Sequence, residues 1–393
     1  MEEWKTYKLE DLTIDGKGHY GIGAPAVEYN ENKYTYLRIT DINDDGSLNY
    51  SGLKSVDDPE AGKYLLKEGD IVFARTGNST GRSYFYEPSD GQFVFAGFLI
   101  KFSIDPSKVN PRFLKYYTHS KPYYEWVQSF DTGATRGNIN AQTFGSMEIN
   151  LPPRDIQDRL VEILSSLDEK IKLNNRINHN LAEQIQERFD SMVMSDNGLG
   201  CCTLADYVEI NPKRVLGKKC HARCIDMSNL STSGPFPSGW EIKDYNGGMK
   251  FQNGDTIMAR ITPCLENGKV AYVNFLDEDE VAFGSTEYIV LHSKDDLTPV
   301  FTYFLARNNN FVDYATKNMN GSSGRQRVAG DTIGKYVLPV INTESLREFT
   351  VFANPAMDVI RNNCFESRSL AATRDALIPL LLSGDLAIEQ MNC

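Results

Sequence analysis

The sequence repeats one motif after a long interval. The pattern Gly-Asp-x-x-x-Ala-Arg begins at Gly69 and again at Gly254, 185 residues later. Leu151-Pro152 and Leu338-Pro339 lie 187 residues apart, and each pair opens a long helical pattern. Repeats of about 20–50 residues form solenoids, whereas a much longer interval indicates two whole domains. The chain is therefore predicted to contain two similar globular domains, each followed by a long helix.

Local patterns predict mixed secondary structure in each copy. Residues 34–39 alternate with period two, as a half-buried strand does, and residues 71–74 and 93–102 form further strand regions. Pro111 follows Asn110 and is predicted to occupy the first turn of a helix. The second copy repeats these elements in the same order. The predicted fold class is α+β, with two mixed α/β domains and two long helices.

Two long segments carry the seam of a coiled coil, in which apolar positions recur at alternating spacings of three and four residues. In the first, the seam positions are Leu164, Leu167, Ile171, Asn174, Asn178, Leu181 and Ile185. In the second, they are Phe349, Ala353, Ala356, Ile360, Asn363, Ser367, Leu370, Arg374, Leu377 and Leu381. Pro355 is expected to kink or to start the second helix.

A long amphipathic helix must bury its apolar stripe, and the other helix is the simplest partner. We therefore predict an antiparallel pair with an approximate internal two-fold symmetry. The alternative is that each helix packs only on its own domain. The predicted segments are two globular domains, two spacer helices and a tail. Their bounds are 1–152 and 196–339 for the domains, 153–195 and 340–386 for the helices, and 387–393 for the tail.

Composition limits the classes of function. The formal charge of −12 argues against a protein that coats nucleic acid without sequence preference, although local basic patches remain compatible with it. No apolar run approaches the roughly 18 residues that a membrane span needs, so a cytoplasmic location is expected. Seven cysteines, none of them before Cys201, indicate free thiols rather than a disulfide framework.

Motifs for catalysis are missing from the sequence. It contains no phosphate-binding Gly-x-x-x-x-Gly-Lys-Ser/Thr loop, no His-Glu-x-x-His and no Asn/Asp-Pro-Pro-aromatic motif of an amino-methyltransferase. The spacing of Cys201, Cys202, Cys220, His221 and Cys224 matches no standard zinc site. We therefore predict a binding protein with no catalytic residues, no metal and no cofactor of its own.

Two loops in each copy combine glycine with side chains that can read DNA. Arginine and lysine match the guanine edge or phosphate, asparagine and glutamine match adenine, and serine and threonine take phosphate oxygens. The predicted DNA-binding residues are Arg75, Thr76, Asn78, Arg82, Thr135, Arg136, Asn138, Asn140, Arg260, Lys269, Ser322, Ser323, Arg325, Gln326 and Arg327.

Other interpretations of these loops remain open at this point. Polar turns have the same composition without binding anything. The motif at Arg75 and Arg260 can also persist for structural reasons, if Asp70 and Asp255 cap its turn and the arginine ties it down. At the level of the whole chain, the main alternative is a coiled-coil scaffold whose two globular ends bind proteins.

Residues 151–181 carry a resemblance to a known family. Leu-Pro-Pro at 151–153, followed by a series of matching positions in the first helix, is similar to the spacer of specificity subunits of type I restriction–modification systems. The matching positions are Gln157, Asp168, Lys170, Ile171, Asn174, Ile177 and Leu181. The second spacer departs from this pattern, because Leu338-Pro339 lacks the second proline and Glu344 stands where glutamine is expected. A related system that methylates and cleaves on both sides of its site is a third possibility.

The resemblance implies a set of partners and a division of labour. Each globular domain would read one half of a bipartite double-stranded DNA site, and the helices would set the gap and dock two methyltransferase subunits. Restriction subunits would complete the complex, and S-adenosylmethionine, ATP and Mg²⁺ are expected on the partners only. The residues assigned to the spacer and to partner docking are Leu164, Leu167, Ile171, Asn174, Asn178, Leu181, Ile360, Leu370 and Leu377.

Overall fold

The computed structural model describes residues 4–50, 52–130, 137–194, 200–294, 299–322 and 324–383. The chain divides into two compact units, which comprise residues 1–169 with 370–393 and residues 170–369. Each of the two long helices therefore contributes residues to both units. The domain and spacer bounds given above remain a prediction, because this division follows contacts rather than the order of the sequence.

The first unit is built from short strands and three short helices. Its strands are β1 (Lys5–Lys8), β2 (His19–Tyr20), β3 (Ala26–Glu28), β4 (Tyr34–Leu37), β5 (Lys54–Val56), β6 (Asp70–Ala74), β7 (Ser83–Phe85), β8 (Phe93–Phe95), β9 (Leu99–Ser103) and β10 (Glu148–Leu151). Its short helices are α1 (Pro111–Tyr117), α2 (Lys121–Gln128) and α3 (Ala141–Gly145), and the long helix α4 (Arg154–Met194) begins here. Turns of 3₁₀ helix lie at Leu9–Leu12, Ile39–Asp41, Ala61–Tyr64, Gly77–Ser79 and Pro88–Asp90.

The second unit repeats this composition of elements. Its strands are β11 (Cys201–Thr203), β12 (Val208–Ile210), β13 (His221–Ile225), β14 (Glu241–Asp244), β15 (Met249–Phe251), β16 (Asp255–Ala259), β17 (Val270–Tyr272), β18 (Ala282–Gly284), β19 (Tyr288–Ser293) and β20 (Val337–Pro339). Its helices are α5 (Leu204–Tyr207), α6 (Val300–Arg307), α7 (Asn309–Lys317), α8 (Gly330–Gly334) and the long α9 (Thr343–Ser383), with a 3₁₀ turn at Met227–Asn229.

Sheet topology shows that the two units share one plan. One sheet has the order β2-β9-β6-β7 in the first unit and β12-β19-β16-β17 in the second, with antiparallel neighbours throughout. A second sheet contains one parallel pair in each unit, β4 with β8 and β13 with β18. The pairs β1–β10 and β11–β20 complete the correspondence. The second sheets differ in order, β3-β5-β4-β8 against β14-β13-β18-β15. The duplication seen in the sequence is therefore a duplication of strand topology in the antiparallel sheet and in the two-stranded pair.

The repeated Gly-Asp motif forms the same turn in both units. Gly69 and Gly254 adopt positive φ angles of 84° and 89°, which glycine tolerates at little cost. The Asp70 carboxylate accepts a hydrogen bond from the Lys67 amide at 2.8 Å, and Asp255 accepts one from the Gln252 amide at 2.8 Å. Both aspartates are buried and start a fully buried strand. The two aspartates therefore cap this turn.

The strand and helix predictions hold with two corrections. The region 93–102 forms two strands, β8 and β9, rather than one, because the chain turns at Gly97. β8 pairs parallel with β4, whereas β9 pairs antiparallel with β2 and β6. Pro111 begins α1, and the side chain of Asn110 caps it through the Arg112 amide. Pro355 does not start the second long helix, because α9 begins at Thr343 and continues through this proline. The predicted fold class, mixed α/β domains with long paired helices, is confirmed.

The long helices pair in both units. In the second unit, Asn174 of α4 contacts Glu366 of α9, Asn178 contacts Asn363, and the ring of Phe189 meets that of Phe349 edge to face. As residue numbers increase along α4, the residue numbers of their partners on α9 decrease. The two helices therefore run antiparallel there. In the first unit, Leu160, Val161 and Leu164 share a hydrophobic core with Ile378 and Leu381 at the end of α9.

Candidate nucleic-acid interface

The two predicted loops of the first unit meet next to the end of β6. Thr76 forms an antiparallel β-bridge with Asn138, and the Ile139 amide donates to the Arg75 carbonyl at 2.9 Å. The hydroxyl of Thr80 donates to the Gly137 carbonyl at 3.0 Å. Segments about 60 residues apart in the chain are thereby fixed side by side. Thr135 and Arg136 lie outside the described residues, so their prediction stays open.

The two predicted loops of the second unit meet in the same way. Ile261 forms an antiparallel bridge with Arg327, and the Val328 amide donates to the Arg260 carbonyl at 3.0 Å. The Thr262 amide donates to the Gln326 carbonyl, also at 3.0 Å. We call each of these joined pairs of loops a loop junction, at 75–82 with 137–140 and at 260–269 with 320–328. Sequence reasoning named the loops in each unit, and the structure shows that they are neighbours.

Arg75 and Arg260 stand at the centre of the two loop junctions. Each has a buried Nε atom that finds no hydrogen-bond acceptor among the described residues. The Arg75 guanidinium lies 5.1 Å from the ring centroid of Tyr20, and the Arg260 Nε lies 4.0 Å from a carboxylate oxygen of Glu287. A buried donor without an acceptor costs free energy, so it needs an explanation. The described contacts do not show either arginine tying down the Gly-Asp turn.

Arg82 and Lys269 have packing roles that the sequence did not suggest. Arg82 donates to Asp44 at 2.6 Å and to the Ile42 carbonyl at 3.0 Å. Lys269 occupies the corresponding place and donates to the Met227 carbonyl at 2.8 Å. Both side chains therefore hold the turn that follows the parallel strand of their unit. A DNA contact by Arg82 or Lys269 stays a prediction. Such a contact would have to form while these hydrogen bonds are kept.

Asparagines of the first loop junction divide into two kinds. Asn140 accepts from the Thr143 amide at 2.8 Å and thereby caps helix α3, which occupies its carbonyl oxygen. Asn78 and Asn138 are exposed. The exposed pair is available to a ligand, whereas Asn140 has a structural role.

The second loop junction contains an ion pair. Arg327 donates from Nε and Nη2 to the two carboxylate oxygens of Glu287, at distances of 2.7–3.0 Å. The hydrogen bond from Arg327 lowers the pKa of Glu287 below its ordinary value, although partial burial opposes this. Ser322 and Arg325 are exposed and Gln326 is partly exposed, whereas Ser323 lies outside the described residues.

Three residues at the loop junctions were missed by sequence reasoning. Phe98 and Glu287 occupy corresponding places, because their carbonyls accept from the Arg75 and Arg260 amides at 3.1 Å and 3.0 Å. Phe98 is 60% exposed, which is unusual for phenylalanine, and Tyr20 is 43% exposed beneath Arg75. In the sequence, the only feature that Phe98 and Glu287 share is a similar spacing after the repeated Gly-Asp motif. That spacing is too weak a signal to select them.

The spacer residues fall into a seam with polar layers. In the first unit Leu164 is buried, and Leu167, Leu370 and Leu377 are partly exposed. Asp168, one position further along α4, is the buried residue, and it bonds to Arg374, Lys115 and Tyr116. Burial alone would raise the pKa of Asp168, but Lys115 and Arg374 outweigh it, so this pKa lies below its ordinary value.

In the second unit the seam places asparagine at its centre. Asn174 is fully buried and donates to Glu366 at 2.8 Å, and Asn178 accepts from Asn363 at 2.9 Å. Ile360 is also fully buried, whereas Ile171 and Leu181 are partly exposed. The buried members of the predicted docking set therefore face the other helix. Among the described residues, the large exposed apolar side chains of the long helices in this unit are Leu173, Ile177, Met194, Val351 and Val359.

Metal-ligating and thiol side chains in the described part of the chain do not form a second site. No group of three or more His, Cys, Asp or Glu side chains there is placed to hold a metal ion. The Cys224 thiol is buried and donates weakly to Asp226, and its burial raises its pKa to about 11. None of the helices in the described ranges has both the length and the hydropathy needed to cross a membrane.

Comparison with known proteins gives consistent matches. Residues 1–183 match the family described as the type I restriction modification DNA specificity domain. The specificity subunit of the type I restriction enzyme HindI from Haemophilus influenzae is 25% identical over 199 residues, which cover 49% of this chain and 41% of that protein. The specificity subunit of EcoAI from Escherichia coli is 32% identical over 132 residues, covering 32% of this chain and 22% of that protein.

Solved structures match nearly the whole chain, and one of them is informative about the fold. The S subunit of a type I restriction–modification system from M. genitalium has a TM-score of 0.58 and 14% sequence identity, with 96% of both chains covered. This likeness shows the fold. The sequence matches are shorter. The chain spans less than half the length of the curated relatives that it matches.

Proposed function

We propose that this chain, whose residues 1–183 match the type I restriction modification DNA specificity domain, is a DNA-specificity subunit. Each unit would read one half of a bipartite site in double-stranded DNA. The observation that carries the proposal is the loop junction, which recurs in both units around an arginine whose buried Nε has no hydrogen-bond acceptor among the described residues.

The chemistry of the loop junctions suits DNA. Arginine can donate two parallel hydrogen bonds to guanine, and backbone amides and hydroxyls can bind phosphate oxygens. The two junctions share their backbone pairing but differ in side chains, since Phe98 in the first corresponds to Glu287 in the second. One scaffold with different side chains is what two different half-sites require.

The helix pair is proposed to set the gap between the half-sites and to dock partner subunits. The buried seam residues hold the helices together, so the docking surface would be formed by exposed positions such as Leu173, Ile177, Val351 and Val359. The partners would be two methyltransferase subunits and the restriction subunits. S-adenosylmethionine, ATP and Mg²⁺ would bind to those partners, and this chain would contribute no catalysis.

Single substitutions at the centres of the loop junctions test the proposal. In the host strain, Arg75→Ala is expected to alter recognition of one half-site, and Arg260→Ala that of the other, as read by sequencing of methylated adenines. Truncating an arginine that reads guanine costs about 1–3 kcal/mol of discrimination, which corresponds to a factor of roughly 5 to 160. The unaltered half of the site should keep its sequence in each variant.

Charge-matched controls separate base reading from general electrostatics. Lys121→Ala and Lys317→Ala remove exposed lysines from helices of the first and second unit, where the side chains are 79% and 78% exposed. These variants should leave both half-sites unchanged. Methylation at the original sites by a chain carrying both Arg75→Ala and Arg260→Ala would contradict the proposal and favour a protein-binding scaffold.

A further inference from the structure

We propose that Glu287 is a positioning residue, which holds the Arg327 guanidinium so that it reads the major-groove edge of a guanine in one half-site. The inference rests on the function proposed above and deepens it, because it assigns one base contact in the second unit to a pair of residues. Glu287 was not among the residues selected from the sequence.

In the described part of the chain, the hydrogen bonds of Arg327 leave one hydrogen on each of its two Nη atoms free for a ligand. Nε donates to Glu287 at 2.8 Å and 3.0 Å, Nη2 donates to Glu287 at 2.7 Å, and Nη1 donates to the Arg325 carbonyl at 3.1 Å. A guanidinium carries two hydrogens on each Nη atom. Nη1 and Nη2 therefore keep one hydrogen each, and two such donors match the N7 and O6 acceptors of guanine.

The backbone around this pair is also fixed. The Arg327 amide and carbonyl both bond to Asn320 at 2.9 Å, which closes a small hairpin. Glu287 is held from the other side, because its carbonyl accepts from the Arg260 amide at 3.0 Å. The Arg327 side chain is nevertheless 39% exposed, so a ligand can reach it. The arginine is thus ordered before any ligand binds, which reduces the entropy lost on binding.

The first unit has no counterpart to this pair at the corresponding place. There the residue whose carbonyl accepts from the Arg75 amide is Phe98, an apolar side chain that is 60% exposed. A phenylalanine cannot orient an arginine through hydrogen bonds, although it can contact a thymine methyl group. The pair is therefore specific to the second unit, and its loss should affect one half-site only.

The test compares variants of the full chain in the host strain by sequencing methylated adenines genome-wide. Arg327→Ala is expected to relax the preference for guanine at one position of one half-site by about tenfold or more. Glu287→Gln keeps the shape of the side chain but not its charge, and it should relax the same position by a smaller factor. Glu287→Asp should restore part of the preference, because the carboxylate is retained.

A double variant shows whether Glu287 acts through Arg327. Adding Glu287→Gln to Arg327→Ala should change nothing further at the guanine position that Arg327 reads, since the residue being positioned is already gone. Asp277→Asn is the matched control, because Asp277 accepts from Arg223 at 2.8 Å in the same unit and its loss should leave both half-sites unchanged. If Glu287→Gln does not fold, Arg327→Lys tests the same contact, because lysine keeps the charge but cannot form the paired contact.

Two results would overturn the inference without touching the proposed function. One is a wild-type chain that directs methylation to a bipartite site while Arg327→Ala leaves every base preference intact. The other is a uniform fall in methylation at all sites, which would assign Arg327 to a phosphate. If the wild-type chain directs no site-specific methylation at all, the proposed function itself fails.

Discussion

Asp168 and Arg374 form an ion pair at 2.8 Å that joins the two long helices within the first unit. Lys115, from helix α1, bonds to the same carboxylate at 2.7 Å, and the Tyr116 hydroxyl donates to it at 3.0 Å. The Asp168 side chain is only 11% exposed. One carboxylate therefore links both helices to the globular part of this unit, and it satisfies two cations at once.

Removing that carboxylate should destabilise the first unit. Asp168→Ala leaves Lys115 and Arg374 without their common partner while they are still mostly buried. Breaking a buried pair costs about 3–5 kcal/mol, and the partial exposure of the cations reduces this to roughly 2–3 kcal/mol. Hydrogen exchange of the β6 amides should detect the loss, with β16 in the second unit as an internal reference.

The neighbouring residue supplies a control for this prediction. Glu169 is 72% exposed and lies 3.9 Å from Arg112, so Glu169→Ala should change stability by less than about 1 kcal/mol. If the β6 amides exchange hydrogen equally slowly in the Asp168→Ala variant and in the wild type, the Asp168 ion pairs do not contribute to stability.

His119 should make the stability of the first unit depend on pH. Burial lowers its pKa from 6.5 to about 4, with Lys115 and Arg374 also opposing its charge and Asp45 partly offsetting them. Between these two values the unfolded chain binds a proton that the folded chain does not. Stability is therefore expected to fall as the pH is lowered from about 6.5 towards about 4.

Replacement of the imidazole isolates this contribution. His119→Gln cannot titrate, so its unfolding midpoint should fall less steeply than that of the wild type over the same pH range. His179 is 70% exposed on α4, and His179→Gln should keep the wild-type slope. Identical slopes for His119→Gln and the wild type would contradict the prediction.

Asn174 is expected to favour one register of the helix pair at a cost in stability. It is fully buried, and its Oδ1 atom has no hydrogen-bond donor in the described part of the chain. Asn174→Leu has nearly the same shape and removes the unsatisfied oxygen, so it should stabilise the second unit by about 1 kcal/mol. Polar seam residues often fix the register of paired helices. The Asn174→Leu variant is therefore expected to direct methylation to sites with more than one gap length.

The exposed neighbour Asn175 provides the comparison. Asn175→Leu should leave both the thermal midpoint and the gap length as they are. A lower midpoint in Asn174→Leu would show that its bond to Glu366 outweighs the unsatisfied oxygen. If the Asn174→Leu variant directs methylation to sites with the single wild-type gap length, Asn174 does not fix the register of the helices.

The length of the helices should determine the gap between the half-sites. Inserting four residues between Ile163 and Ile185 is expected to change the number of unspecified base pairs and to leave both half-site sequences intact. Sequencing of methylated sites measures both quantities at once. Altered half-sites with an unchanged gap would contradict the proposed role of the helices as a spacer.

The isolated chain should bind DNA weakly. Its formal charge of −12 repels the phosphate backbone, and the local cations Arg82 and Arg327 are already paired with Asp44 and Glu287. Filter binding of the purified chain should therefore show affinity that rises steeply when the methyltransferase subunits are added. Tight, sequence-specific binding by the chain alone would contradict this expectation.

The sequence by itself determined the features that depend on neighbouring residues. The Gly69-Asp70 turn, the cap of α1 by Asn110 and the seams of the long helices follow from local conformational preferences and from periodicity. The repeated interval then predicted two similar units, and the shared strand topology confirms this. In the candidate site, the same logic selected loops, because glycine and polar residues mark them.

Tertiary structure alone decided which contacts the side chains of those loops make. Arg75 meets Ile139 and Arg327 meets Glu287 across stretches of chain whose order says nothing about which segments touch. Long-range pairing also turned Arg82 towards a structural role, and it placed Phe98 and Tyr20 beside Arg75. Side-chain identity in a sequence defines which bonds are possible, whereas packing between distant segments defines which donors remain free.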